Sequence, residues 1–248
     1  AFGQSVILLL IQIGGMGVIT VAAAITMASG KKISLMQRST MQDAISAHQV
    51  GGIVRFTGFI LKGIFLFELL GALVLMTVFV PEHGVKGIWL AVFHSISAFC
   101  NAGFSTLSGN LGNELILNNH TGFYVGISLL VILGGIGYPI LVNFLQTLMY
   151  EVKKLYCQYI QGKKIPRKVH LYNLNTRIAV RMTLVLIVVG TLFMLIAEWN
   201  RAFADMPVID KFVQAFFNAV CPRTAGFNSV SLTTMGLHTL LIYMLLMI

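Results

Sequence analysis

Gly103 and Gly226 sit in two short segments that resemble each other, VFHSISAFCNAGFST over 92–106 and AFFNAVCPRTAGFNS over 215–229, which align on a shared Ala-Gly-Phe. Glycine enters positive φ at little steric cost, so a glycine-bearing loop can turn successive main-chain carbonyls toward one point. Carbonyls gathered in this way replace the water shell of a weakly hydrated monovalent ion, whereas a divalent site is expected to bring carboxylates. Neither loop contains one. Other chemistry fits less well. His94 and Ser95 offer a base and a hydroxyl, but neighbours on a helix point about 100° apart and no acid is nearby in sequence, which argues against catalysis. Cys100, Cys157 and Cys221 are odd in number and lack metal-ligand spacing, so all three read as structural.

The elements that must carry these loops belong in a bilayer. Of the 248 residues 57% are apolar and 10% charged, and the mean hydropathy is +0.86, outside the range of ordinary soluble domains. The stretches 1–30, 115–150 and 224–248 carry no Lys, Arg, Asp or Glu, and each exceeds the ~20 residues that a spanning helix needs. Segment 56–80 carries only Lys62 and Glu68, and segment 178–197 only Arg181. Four or five crossings are expected, an all-α membrane protein. Ala1 opens into an apolar run without the basic region of a cleavable signal, so none is read.

The formal charge of +9 is not a nucleic-acid signature, because the basic residues flank apolar spans instead of forming one face. Lys31, Lys32, Arg38, Arg55 and Lys62 mark one basic stretch, and Lys153 through Arg181 mark another; Glu82, Glu114, Glu198, Asp205 and Asp210 sit in the other connections. By the positive-inside rule the two basic stretches are cytoplasmic.

A second pair of motifs repeats independently of the first. Ile13-Gly14-Gly15-Met16-Gly17 matches Leu133-Gly134-Gly135-Ile136-Gly137, with Gly14 and Gly134 120 residues apart and Gly103 and Gly226 123 apart. Two unrelated motifs sharing a spacing point to a repeat of about 120 residues. The expected unit is a spanning helix, a short segment ending in the Ala-Gly-Phe loop, and a second spanning helix interrupted by glycines. Residues 1–29 then form the second helix of a first unit, 30–149 a complete second unit with its cytoplasmic linker, and 150–248 a third unit truncated in its second helix, so that the architecture is incomplete at both ends.

Segment 88–99 is too short to cross: twelve residues make a helix of roughly 18 Å against a hydrocarbon core of about 30 Å. With both flanks outside, it must dip in and return, which membrane interiors tolerate only where protein or water satisfies the backbone. Its C-terminal dipole end then points at mid-bilayer just before the glycine, a placement that favours cations. These are the marks of pore helices and filter loops arranged around a central pore.

The arrangement, with Arg223-Thr224-Ala225-Gly226-Phe227-Asn228 in the third unit, Ile13-Gly14-Gly15-Met16-Gly17 at the end of the first and Gly30-Lys31-Lys32-Ile33-Ser34-Leu35 between, resembles the Trk/Ktr/HKT superfamily of potassium transporters over essentially the whole chain. The resemblance implies four such units around one pore and channel-like potassium uptake across a bacterial inner membrane. It assigns the selectivity filter to Asn101, Ala102, Gly103 and Phe104 and to Thr224, Ala225, Gly226 and Phe227, with potassium at the carbonyls near Asn101, Gly103, Thr224 and Gly226. It further implies a homodimer served by a cytosolic nucleotide-binding regulatory subunit, and no cofactor in this chain beyond the transported ion.

Two charged residues are expected to support the filter. Arg223, three residues before a filter glycine, should point away from the ion path and bind a carboxylate or carbonyls behind the loop. Glu68, mid-span, should be paired or neutral at a helix interface, with attraction of ions from a wet vestibule as the other reading. The glycine clusters read as close-packing sites between helices, the second also bending or breaking its helix ahead of Pro139. Sodium or mixed sodium and potassium transport by the same architecture remains open. So does a solute carrier with broken helices, in which the short segments would be halves of crossings.

Overall fold

The computed structural model describes residues 2–17, 25, 53–112, 121–160, 174–204, 206–231 and 233–247. The linker motif at 30–35 and the basic residues 31–38 and 163–168 lie outside them, as do the expected domain boundary at 29/30 and Asp205. Among the described residues there are eight helices and no strand: α1 Phe2–Met16, α2 Ile53–His83, α3 Val85–Phe99, α4 Thr121–Ile136, α5 Tyr138–Ile160, α6 Leu174–Glu198, α7 Val208–Thr224 and α8 Leu237–Leu246.

Length separates these helices into two kinds. At 1.5 Å per residue, α2 and α6 run about 46 and 37 Å and exceed the bilayer core, whereas α3 and α7 reach only about 22 and 25 Å. Both long helices turn an apolar face outward: Phe65, Leu66, Leu69 and Leu73 on α2, and Val185, Val188, Val189 and Leu192 on α6, are all exposed. In water that pattern would be unstable, and in lipid it is the expected solvent-facing surface. The short helices reverse it. Ala91, Phe93, Ala98 and Phe99 of α3 and Ala215, Phe217, Ala219 and Val220 of α7 are buried, so the C-terminal parts of the short helices are enclosed by their neighbours.

The expected crossings are corrected at stretch 224–248, while the break expected ahead of Pro139 is present. Straight helices long and apolar enough to cross number two among the described residues, α2 and α6, or three if α4 and α5 count as one broken span. Between α4 and α5 the chain bends by 104° at Gly137, whose φ is 88°, so the second helix of the unit, expected to be interrupted by glycines, is two helices. Stretch 224–248 is not one helix either. It holds a loop until Gly236 and then the ten residues of α8. Here Ser231 Oγ accepts from Thr233 N at 3.4 Å and Thr234 Oγ1 donates to Ser231 O at 2.8 Å. Such local side-chain bonds compete with the helical ladder in spite of the missing charges.

Packing fixes how the pieces meet. Only Gly84, at φ 57°, separates α2 from α3, and the reversal places Gly87 so tightly against Phe79 that a Cβ there would overlap the Phe79 carbonyl. The main core joins α2, α3, α4 and α7 through Phe79, Ala98, Phe123, Tyr124, Ile127 and Phe217. A smaller cluster of Met194, Phe203, Ala215, Met235 and Tyr243 ties α6, α7 and α8. At its rim the buried Glu198 carboxylate accepts from Gly236 N at 2.9 Å and from Thr239 Oγ1, capping the N-terminus of α8 where negative charge is favoured.

Candidate functional site

The loop after α3 is shaped by its own backbone bonds. Cys100 N donates to Ile96 O at 2.9 Å, Asn101 N to Ala98 O at 3.1 Å and Ala102 N to Ser97 O at 2.8 Å, with Asn101 at φ 53°. This pattern of paired end-of-helix bonds closes a helix around one left-handed residue, a conformation that asparagine tolerates better than most residues with a Cβ. Two residues on, Gly103 is left-handed at φ 70°. Side chains of α3 then hold the returning strand: Ser97 Oγ donates to Phe104 O at 2.8 Å and His94 Nε2 meets Ser105 Oγ at 2.9 Å. His94 Nδ1 lies 2.8 Å from Leu90 O, and since a carbonyl only accepts, Nδ1 carries a proton. Ser95 donates instead to Glu68 O at 2.6 Å, so the adjacent His94 and Ser95 do not form a dyad with each other.

The loop after α7 also reaches a left-handed glycine, by another route. Ala225 N and Gly226 N both donate to Cys221 O at 3.0 Å, and Gly226 adopts φ 74°. The helix runs on to Thr224, two aligned positions farther than α3, since β-branched Thr224 in place of Asn101 disfavours the left-handed turn. Behind the loop lies a buried polar chain. Ser229 Oγ donates to Gln214 Oε1 at 2.5 Å and receives from Asn218 Nδ2 at 2.9 Å, while Tyr243 OH donates to Asn218 Oδ1 at 3.0 Å.

Although 123 residues separate them in sequence, the two loops touch. A Cβ placed on Gly103 would overlap the Ala225 carbonyl oxygen and stand 3.1 Å from the carbonyl carbon of Gly226. Thr224 Oγ1 lies 3.3 Å from the Asn101 side-chain amide, and Leu111 N donates to Asn228 O at 3.2 Å. Gly226 itself has open space where a Cβ would be. Among the described residues no hydrogen bond ends on the carbonyls of Ala102, Gly103, Ala225 or Gly226, whereas that of Phe104 is taken by Ser97. Clustered carbonyls without donors are what a cation or water satisfies. The side chains split: Ala225 and Phe227 are buried and Phe104 is exposed.

The glycine clusters are the seats on which these loops rest. Gly17 N donates to Gly14 O at 3.1 Å and Gly137 N to Gly134 O at 3.2 Å, with φ 79° and 88°, so both clusters end a helix in the same way. A Cβ on Gly15 would overlap Cys100 Sγ, and one on Gly134 would overlap the Phe99 carbonyl oxygen. Thus α1 and α4 press on the end of α3 from two sides.

The two charged residues differ in how far they meet expectation. Glu68 is 4% exposed, and Gln12 Nε2 of α1 donates to its two oxygens at 2.8 and 3.0 Å; Cys100 Sγ stands 3.5 Å away. That is a helix-interface carboxylate with polar partners, set directly behind the first loop. Arg223 reaches neither a carboxylate nor carbonyls among the described residues. One guanidinium nitrogen lies 3.5 Å from Thr183 Oγ1 of α6, beside a cavity of about 20 Å³ lined by Gly135, Thr183, Val220 and Thr224. The polar chain behind the second loop was not anticipated, although Gln214 and Asn218 stand four apart on one helical face.

Fold and site together describe an all-α integral membrane protein in which short buried helices end in glycine-bearing loops that meet. The whole chain, residues 1–248, matches the TrkH family of cation transport proteins, and the chain belongs to that family. Among its relatives, the Ktr system potassium uptake protein B of Bacillus subtilis (strain 168) is 35% identical over 99% of this chain and 51% of the relative. The potassium/sodium uptake protein NtpJ of Enterococcus hirae is 31% identical over 99% of this chain and 50% of the relative. The Ktr system potassium uptake protein B of Vibrio alginolyticus is 30% identical over 99% and 50%. The chain spans about half the length of the curated relatives it matches.

Proposed function

We propose that this chain contributes part of the ion path of a channel-like monovalent cation transporter, potassium being the preferred cargo in uptake. Selection rests on main-chain carbonyls of the two glycine-bearing loops, 101–104 and 224–227. The observation that carries this reading is the meeting of Gly103 with the Ala225 carbonyl, both glycines being left-handed. Loops contributed by two different helices and converging on one point suit an ion shared between them, because a dehydrated cation needs oxygens from several directions at once. The carbonyl of Phe104, already bonded to Ser97, ranks below those of Ala102 and Gly103 as an ion ligand.

Each loop with its flanking helices forms one unit of a repeated architecture around the pore. Sodium or mixed transport is the second reading, favoured by the similarity to a protein named for potassium and sodium uptake. The further partners follow as proposals: a homodimer, and a cytosolic nucleotide-binding subunit docking on the basic stretch from Lys153 to Arg181. The chain itself carries no catalytic step and no cofactor.

The test is uptake by the full-length protein in cells lacking their own potassium transporters. Gly226→Ser, which strains a left-handed residue and adds a hydroxyl where space is open, lowers the preference for potassium over sodium. Unchanged selectivity counts against the filter assignment.

A further inference from the structure

Asn101 does more than end α3. Its side-chain amide, oriented so that both ends are satisfied, donates to Val131 O at 3.1 Å and accepts from Gly135 N at 2.9 Å. Those two groups are residues i and i+4 of one turn of α4, the pair that an unbroken helix bonds to each other. A side chain set against such a pair is one of the recognised causes of a sharp bend, and the chain bends by 104° at Gly137, two residues beyond Gly135. The same amide stands 3.3 Å from Thr224 Oγ1 on the other loop.

The glycines of α4 let the two elements approach closely there. A Cβ on Gly135 would stand 3.2 Å from Thr224 Oγ1 and 3.4 Å from the Asn101 side-chain amide, and one on Gly134 would overlap the Phe99 carbonyl. The left-handed backbone of Asn101 is what aims the side chain away from its own helix and into α4. One residue therefore touches three elements: its own loop through its backbone, the broken helix through its amide, and the opposing loop through Thr224.

We propose that Asn101 is a positioning residue whose side chain locks the α4–α5 break to the two loops, so that the angle of the break and the spacing of the loop carbonyls are held together. This rests on the filter reading of the loops. The lock predicts that the break and the ion preference change as one. If Asn101 only closes α3, glycine, which enters the left-handed region freely, replaces it without consequence.

The experiment uses the full-length protein. Spin labels at Leu129 on α4 and Leu148 on α5, both exposed, report the break by pulsed electron-electron distance measurement, and competition uptake reports potassium against sodium. Asn101→Gly broadens the label distance distribution and lowers the potassium preference by about tenfold, the scale of one lost buried hydrogen bond. Thr224→Val, which keeps the shape and removes one contact, shifts both readouts in the same direction by less, and provides the result if Asn101→Gly fails to assemble. Wild-type behaviour in both readouts overturns the proposal, as does a change in only one of them. The Gly226→Ser comparison separates this from the filter reading: selectivity lost there and kept in Asn101→Gly removes the lock and leaves the filter.

Discussion

Placing alanine at Gly103 and at Gly226 should have unequal consequences, although both are left-handed glycines in matching motifs. Their φ angles are 70° and 74°, and an L-residue pays about 1–2 kcal/mol for that conformation at either position. At Gly226 nothing lies within 4 Å of the new methyl, so the conformational cost is nearly all of it. At Gly103 the methyl falls on the Ala225 carbonyl oxygen and 2.9 Å from its carbon, where carbon atoms settle at about 3.5–4.0 Å. The loops must part by a large fraction of an ångström or more, and overpacking of that kind adds about 1–3 kcal/mol. The two costs together reach about 2–5 kcal/mol for Gly103→Ala, and the group displaced is itself a proposed ion ligand. Thermal unfolding of the detergent-solubilised full-length protein, read beside competition uptake of potassium and sodium, should place Gly103→Ala well below Gly226→Ala in both. Equal stability and selectivity in the two variants would refute the convergence of the loops, since only their contact distinguishes the sites.

Other expectations come from the same geometry. Gly15→Ala should destabilise the protein by about 1–3 kcal/mol by driving a methyl into Cys100, while Gly14→Ala next to it, with open space around it, should be neutral or slightly stabilising through helix propensity; paired melting curves check this. Ser229→Ala should cost about 1–3 kcal/mol by leaving Gln214 and Asn218 buried without a shared partner, and the loss should appear as a lower melting temperature. Glu68→Leu should weaken the seating of α1, measurable as faster hydrogen exchange near Gln12, with Glu68→Gln milder because an amide oxygen still accepts from Gln12.

Local backbone demands were the legible part of the sequence. A glycine in an Ala-Gly-Phe loop announces positive φ by its missing Cβ, and both glycines have it. The Gly-Gly-Ile-Gly run likewise predicted a bent or broken helix, found at Gly137. Glu68 was legible as an interface residue because an unpartnered carboxylate amid apolar spans is too costly to leave alone. Its partner Gln12, 56 residues away, was not, since nothing local in either segment names the other. Asn101 was read for its main chain and missed for its side chain, because the amide acquires a role only once α4 lies against it. The uncharged stretch 224–248 misled for a related reason. Absence of charge permits a spanning helix, but glycines and hydroxyls with local bonding partners decide against one here.

The most direct test of the central claim is to locate the ion. Rubidium replaces potassium in carbonyl sites and scatters strongly enough to be placed by anomalous diffraction from the full-length protein. A peak is expected within coordination distance of main-chain oxygens from both loops, among those of Ala102, Gly103, Ala225 and Gly226. A peak held by side chains elsewhere, or loops turned toward lipid with no ion between them, would contradict it.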